Sequence, residues 1–220
     1  TYKDPAGERS KYMHRPVGGN ICNLWLKDHG YFQASSQTIY KRWEPMSFPE
    51  MPETKPLTPR IEFKNNMGYF TNLYEFDALL THGEKDGNFF ISSIGELKNS
   101  KQQEGGISYR LSHEIEDCSL TKKIDLIYHD AKEPVQIIEP VIEYPNMKFN
   151  QIDNHTVHIQ TKEKTIELLI HTNNVTLELG TDESKYRFPY PALKAYPIIL
   201  NVINDNNEFR QTIEFSYWII

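Results

Sequence analysis

The chain has 220 residues and a mass of 25.8 kDa, enough for one large β domain with a sizeable buried core. Its hydrophobic share of 38% and aromatic share of 12% exclude an intrinsically disordered chain. A net charge of −6 argues against a nucleic-acid-binding protein, and no apolar run approaches the roughly 18 residues that a membrane span requires.

The start of the chain, TYKDPAGERSKYMHRP, contains neither an initiator Met nor an apolar signal segment. Such a start is expected of a piece cut from a longer polypeptide. We therefore expect part of the function to lie outside these 220 residues.

Apolar and polar residues alternate along most of the chain, as in Ile107, Tyr109 and Leu111 between Ser108, Arg110 and Ser112. This period of two is typical of β-strands with one face on a core. Alanine, which favours helices, occurs only six times, and no window keeps a helical stripe. The chain is therefore predicted to be all-β.

Turn sequences such as Asn65-Asn66-Met67-Gly68 and Asn204-Asp205-Asn206-Asn207 separate the predicted strands. About twelve antiparallel strands indicate a large β-sandwich of two stacked sheets, forming one domain over residues 1–220. A break at 144–153 leaves two lobes as the alternative. The last strand is too apolar for an exposed edge. The predicted strands cover residues 20–27, 29–35, 60–65, 68–80, 88–94, 106–115, 119–129, 134–143, 155–161, 164–171, 174–180, 196–203 and 208–219.

The segment 42–59, RWEPMSFPEMPETKPLTP, contains five prolines and is predicted to be a loop, because proline cannot donate to a β ladder. Trp43, Met46 and Phe48 would anchor it. Two interpretations stay open: a strap over a sheet edge, or a docking strap for a neighbouring domain of the same chain.

The cysteines and the standard motifs give little information. Cys22 and Cys118 could form a disulfide or be small core side chains. No Gly-rich phosphate loop, H-E-x-x-H or Ca²⁺ loop occurs, so neither a cofactor nor a metal is predicted.

Polar and aromatic side chains are concentrated in the first fifty residues. Aromatic faces beside Arg and Asn suit sugar rings, although ordinary strand packing would use the same aromatic residues. Tyr and His beside Arg and Asn could also abstract a proton next to a carboxylate and stabilise the resulting anion. The residues concerned are Tyr12, His14, Arg15, Asn20 and Tyr40.

Other titratable residues are weaker candidates. His113 is predicted to be solvated, and His82 to lie in the turn THGEKDG. Glu139 and Glu143 could form a carboxylate pair for glycoside hydrolysis, but no partner or pocket is evident from the sequence.

The stretch RPVGGNICNLWLKDHGYFQASSQTIY (15–40) resembles the first strands of the C-terminal β-sandwich of heparinase II/III-like polysaccharide lyases. Lys27-Asp28-His29-Gly30 would be the hairpin turn, and Tyr40 the Tyr-bearing segment. The stretches YRLSHEIED and TKKIDLI look like the paired long strands of that sandwich. One departure is that His14 is followed by Arg15, where the family often has Asn.

The resemblance implies the C-terminal domain of a carbohydrate-active protein that caps an N-terminal α/α toroid domain of the same chain. An acidic polysaccharide would be cleaved by β-elimination, in the periplasm or outside the cell. Tyr40 and His14 would be catalytic, and Tyr12, Arg15 and Asn20 would bind substrate. The isolated domain would be nearly inactive. A non-catalytic carbohydrate-binding or structural sandwich is the alternative.

Overall fold

The computed structural model describes residues 18–35, 57–85, 87–129, 131–181, 186–187, 194–204 and 208–220. Within these ranges the chain forms strands and one 3₁₀ turn, Asn72–Tyr74, but no α-helix. No helix capable of crossing a bilayer occurs in them. The strands are β1 Asn23–Leu26, β2 Gly30–Ala34, β3 Arg60–Asn65, β4 Gly68–Thr71, β5 Leu79–Lys85, β6 Asn88–Lys98, β7 Glu104–Ile115, β8 Ser119–Tyr128, β9 Gln136–Ile142, β10 Lys148–Gln151, β11 Thr156–Gln160, β12 Thr165–Ile170, β13 Val175–Leu179, β14 Tyr186–Arg187, β15 Lys194–Val202 and β16 Arg210–Ile219.

One antiparallel sheet of 14 strands contains all of these except the β1–β2 hairpin. Its order is β10-β11-β12-β16-β8-β7-β6-β4-β3-β9-β15-β13, with β5 added to β6 and β14 to β15. The strands β6, β7, β8 and β16 are the longest, and their alternating side chains form the largest part of the core.

The sheet folds over into two facing layers at the junction of β4 and β6, which share a single partner pair, Thr71 with Lys98. The first layer runs from β10 to β6 and includes β5, and the second runs from β4 to β13 and includes β14. At the far end, Phe149 of β10 stacks on Tyr196 of β15 with ring centroids 4.2 Å apart. The core therefore lies between two layers of one continuous sheet.

The β1–β2 hairpin closes one end of this sandwich. Phe32 of β2 is fully buried in the core and contacts the ring of Tyr217 edge-on, with centroids 5.2 Å apart. Trp25 and Tyr31, on the other side of the hairpin, are exposed. The hairpin thus carries the N-terminal part of the described chain into the core.

The all-β prediction and the large antiparallel sandwich are confirmed, and most strand positions agree within a few residues. The last strand, β16, lies between β12 and β8 and is not an edge, as its apolar sequence required. Residues in the predicted break at 144–153 include β10, which pairs with β11 in the same sheet. The single-domain organisation over 1–220 stays a prediction.

Some predictions were wrong. The strand expected over 68–80 is interrupted by the 3₁₀ turn, and His82 lies in strand β5 rather than in a turn. Cys22 and Cys118 are free and exposed, so they neither form a disulfide nor pack in the core. In the proline-rich segment 42–59, residues 42–56 lie outside the described residues, and Leu57 is buried against the outer face of β9.

Candidate functional site

The described part of the chain contains one of the five predicted site residues, Asn20. Tyr12, His14, Arg15 and Tyr40 lie outside the described residues. Asn20 and the two glycines before it lie across the inner face of the first layer, where β6 and β7 run side by side.

Asn20 is held by the fully buried side chain of Asn72, the first residue of the 3₁₀ turn. The Asn72 Nδ2 group donates to Asn20 Oδ1 over 2.8 Å, and Asn72 Oδ1 accepts from the backbone N–H of Ile61 over 3.0 Å. The turn is itself capped by the Thr71 hydroxyl, which accepts from the backbone N–H of Leu73. Asn72 therefore connects Gly18-Gly19-Asn20, the glycine segment at the start of the described chain, to β3.

Gly18 and Gly19 allow the backbone to lie directly on β6 and β7. Both have positive φ angles, +64° and +78°, and a Cβ on Gly19 would meet the Ser93 Oγ at 1.9 Å. The Gly18 carbonyl accepts hydrogen bonds from the Tyr109 hydroxyl at 2.9 Å and the Ser93 hydroxyl at 3.3 Å. The glycine pair is thus required by both conformation and space.

His113 forms a hydrogen bond with the Gly19 carbonyl and is buried, so the prediction that it is solvated was wrong. Its position on β7 shares the inward face of Tyr109, and only 5% of the residue is exposed. Nε2 lies 3.2 Å from the Gly19 carbonyl oxygen, which can only accept, so Nε2 carries the proton. Nδ1 is buried and has no hydrogen-bond partner among the described residues.

The charge state of His113 follows from this environment. Burial, reinforced by the positive charge of Lys122, lowers its pKa from 6.5 to about 3, and the Gly19 carbonyl opposes the shift only in part. The imidazole is therefore neutral at physiological pH. It serves as a hydrogen-bond donor to the glycine segment and cannot act as a proton-transfer group near pH 7.

Below His113, Lys122 and Glu139 form a fully buried ion pair in which Nζ lies 2.6 Å from Oε2. The same carboxylate oxygen accepts from Gln33 Nε2 at 2.7 Å and from the Tyr217 hydroxyl at 3.0 Å. Gln33 Oε1 accepts in turn from Lys122 Nζ at 3.0 Å. These four residues, the buried polar cluster, link the first layer, the second layer and the β1–β2 hairpin.

The buried polar cluster satisfies its own charges. Burial lowers the pKa of Lys122, while the Glu139 carboxylate opposes that change, and burial beside Glu139 raises the pKa of the Tyr217 hydroxyl well above its usual value. Since Glu139 is occupied by three donors, it is unavailable for glycoside hydrolysis with Glu143. The structure gives Glu139 a structural role.

A cavity of about 10 Å³ remains between the glycine segment and the buried polar cluster. Its lining includes Asn20, Arg60, His113, Lys122 and Glu139. Such a volume holds about one water molecule and no sugar ring. The described geometry is therefore a rigid support for the N-terminal segment and does not form a substrate pocket by itself.

Within the described ranges, no three His, Cys, Asp or Glu side chains converge as they would to hold a metal ion. His158, for example, pairs with Glu167 across two neighbouring strands at 3.0 Å, with no third ligand beside them in this part of the chain.

Sequence reasoning missed the buried polar cluster, although one signal was available. Lys122 occupies an inward position in the alternating series Leu120, Lys122, Ile124 and Leu126, where a charged residue requires a buried partner. The partner, Glu139, belongs to the opposite layer, and no local pattern connects the two.

The same fold occurs in the solved structures of a heparan sulfate lyase, HepC, from Pedobacter heparinus. The mutant and the unmutated protein superpose with TM-scores of 0.52 and 0.51, at 11% sequence identity over 67% of this chain and 22% of theirs. At this identity the likeness concerns the fold.

The family follows from the sequence. The model of the family described as "Ulvan lyase C-terminal domain" matches residues 1–216, and the chain belongs to this family. A broad-specificity ulvan lyase from Formosa agariphila is 26% identical over 195 residues, which are 86% of this chain and 30% of that protein. The chain thus spans about a third of its relative, and the resemblance to a C-terminal domain of polysaccharide lyases is confirmed.

Proposed function

We propose that the full-length protein is a polysaccharide lyase in which this C-terminal domain and an N-terminal α/α toroid domain together bind an acidic polysaccharide. The observation that carries the proposal is the family match, which spans residues 1–216 and so includes both His14 and Tyr40. Because such a polymer is too large to enter a cell, the protein would act in the periplasm or outside the cell.

The reaction would be β-elimination at a uronate unit. A base removes the proton at C5, the electron pair forms the C4–C5 double bond, and the 4-O-linked sugar leaves as its alcohol after receiving a proton. Tyr40 and His14 have the side chains for these two proton transfers. Arg15 and Asn20 would stabilise the charge that develops on the uronate carboxyl group, and Tyr12 would stack on a sugar ring.

The described structure supports this proposal because it holds the backbone firmly at Gly18, close in sequence to the proposed catalytic residues. Gly18 is three residues from Arg15 and four from His14, and its carbonyl is fixed by Tyr109 and Ser93. A catalytic segment needs such an attachment, since small displacements of a reacting group reduce the rate strongly. The net charge of −6 further restricts the contacts with a polyanion to local ones.

The test is turnover of the full-length protein on ulvan and on heparan sulfate, followed by the ultraviolet absorbance of the unsaturated product. We expect His14→Ala and Tyr40→Phe each to lower kcat/KM by about 100-fold or more while the fold stays intact by circular dichroism. His171→Ala, which removes an exposed histidine directly after β12, is the matched control and should keep full turnover. Undiminished turnover of both His14→Ala and Tyr40→Phe would exclude these residues from the chemistry.

A non-catalytic carbohydrate-binding role is the second candidate, and one observation favours it. Trp25 and Trp218, which are 58% and 38% exposed, line a groove of about 190 Å³ between the β1–β2 hairpin and the end of β16. Exposed indole faces suit sugar rings. Binding of polysaccharide by the full-length protein without any unsaturated product, and its loss in Trp25→Ala, would favour this role over the lyase.

A further inference from the structure

The inner face of β6 and β7 extends beyond the second layer and ends in exposed apolar side chains. Along β6, Leu97 is fully buried and Ser93 is 1% exposed, whereas Ile91 is 40% and Phe89 62% exposed. All four residues point to the same face, because alternate residues of a strand do so. The covering of this face therefore stops between Ser93 and Ile91.

The neighbouring strands show the same boundary. On β7, His113 is buried, whereas Ile115, which pairs with Phe89, is 45% exposed. On β5, Leu80 pairs with Ser93 and is 39% exposed. Directly paired residues share a face, so Leu80, Phe89, Ile91 and Ile115 form one surface, the bare inner patch. Adjacent exposed side chains of this size mark an interaction surface.

The glycine segment lies at the border of this patch. Gly19 rests on Ser93, which is two residues from Ile91 on the same face of β6, and its carbonyl binds His113, which pairs with Ile91. Gly18 and Gly19 therefore lie beside the bare inner patch. In the ulvan lyase relative, 70% of the chain lies outside the matched part, since the match covers 30% of it.

We propose that the bare inner patch is the surface on which the N-terminal domain of the full-length protein packs. This inference rests on the proposed function, which requires that domain, and adds where it docks. The patch would contribute apolar contacts beside the glycine segment. The opposite face of the β5–β6 hairpin, with Leu79 and Ile94, would remain in solvent.

A photo-crosslinking residue distinguishes the two faces in the full-length protein. Phe89→p-benzoylphenylalanine places the probe on the patch, and Leu79→p-benzoylphenylalanine is the matched control, since Leu79 is 65% exposed on the opposite face of the same hairpin. Both positions are exposed, so neither variant should prevent folding. We expect the position-89 probe to crosslink to peptides that precede Thr1, with a yield at least five-fold above that of the position-79 probe.

Other results would overturn the inference. Crosslinks from position 89 that stay within residues 1–56 would show that the chain covers its own patch, and crosslinked dimers would show a second copy there. Equal yields from both positions, or none, would also contradict docking at this face. The docking surface and the proposed function can be contradicted independently. If position 89 crosslinks to the N-terminal domain but the full-length protein forms no unsaturated product, the docking surface is supported and the lyase function is excluded.

Discussion

Lys122 Nζ lies 2.6 Å from Glu139 Oε2, although β7, β6, β4 and β3 separate their strands in the sheet. The contact exists because the sheet folds over and brings β8 against β9. Both side chains are almost fully buried, at 1% and 3% exposure. A buried ion pair contributes little net stability, but it penalises any arrangement of the layers that separates the charges. We infer that the pair helps to specify how the two layers face each other.

A double-mutant cycle tests this relationship. We expect Lys122→Met alone to lower the free energy of unfolding by about 3–5 kcal/mol, because Glu139 would keep a buried charge without its cation. Glu139→Leu should have a similar effect. The double variant should lose about 2–3 kcal/mol less than the sum of the two, which urea unfolding can measure. Additive losses would show that the two charges are not coupled.

The protonation of His113 predicts a pH dependence of stability. An unfolded histidine binds a proton below pH 6.5, whereas the native imidazole, with a pKa of about 3, does not until far lower pH. The free energy of unfolding that comes from the lowered pKa of His113 is therefore fully present above pH 6.5. It is lost as the pH falls below 6.5, by up to about 1.4 kcal/mol per pH unit. We expect His113→Asn to unfold with a shallower pH dependence between pH 6 and pH 4.

The matched control is Ser93→Ala, because Ser93 donates to the Gly18 carbonyl beside the one that His113 binds and does not titrate, so its loss should leave the slope unchanged. Nuclear magnetic resonance titration of the His113 Cε1 proton checks the pKa directly. A resonance that titrates near pH 6 would contradict the buried, neutral imidazole.

Gly19→Ala separates conformational strain from steric overlap. Gly87 has a similar φ of +85°, and a Cβ at that position would have nothing within 4 Å, so Gly87→Ala should cost only about 1–2 kcal/mol for the left-handed backbone. In Gly19→Ala the methyl group would also overlap the Ser93 side chain, which adds about 1–3 kcal/mol. If thermal unfolding showed the same loss of stability in Gly19→Ala and Gly87→Ala, the glycine segment would not be in close steric contact with β6.

The strands and the sandwich could be predicted because a period of two is a local property of the sequence. The pattern around Asn72 was misleading, because Phe70, Tyr74 and Phe76 keep a period of two on either side of Asn72, although a 3₁₀ turn lies between them. Strand β5 was missed for the opposite reason: Thr81, His82 and Gly83 read as a turn, yet their partners on β6 hold them in a hairpin.

The site could be predicted only in part. The glycine pair Gly18-Gly19 permits either a tight turn or a close approach of the backbone to another surface, and the structure shows a close approach to Ser93 and Tyr109. Which residues meet across the two layers depends on where the sheet folds over, and no sequence pattern determines that point. The pairing of Lys122 with Glu139, and the burial of His113, therefore required the fold.

Asn72 should act as a positioning residue for the proposed catalytic segment, through its bonds to Asn20 and Ile61. Asn72→Ala leaves the Ile61 N–H without its acceptor and should lower the free energy of unfolding by about 1–3 kcal/mol. In the full-length protein we expect kcat to fall about ten-fold or more and KM to rise, since the displaced segment carries both the proposed catalytic residues and the proposed substrate contacts Arg15 and Asn20.

Asn99→Ala is the control for this effect. Asn99 is also a buried turn residue, whose Oδ1 accepts from the backbone N–H groups of Lys101 and Gln103 at 3.0 and 3.1 Å, but these partners belong to the β6–β7 turn and not to the N-terminal segment. The loss of stability should be comparable in the two variants, whereas only Asn72→Ala should lower kcat. If both variants lowered kcat equally, the loss of turnover would follow the loss of stability and not the position of the N-terminal segment. Asn72 would then have only a structural role.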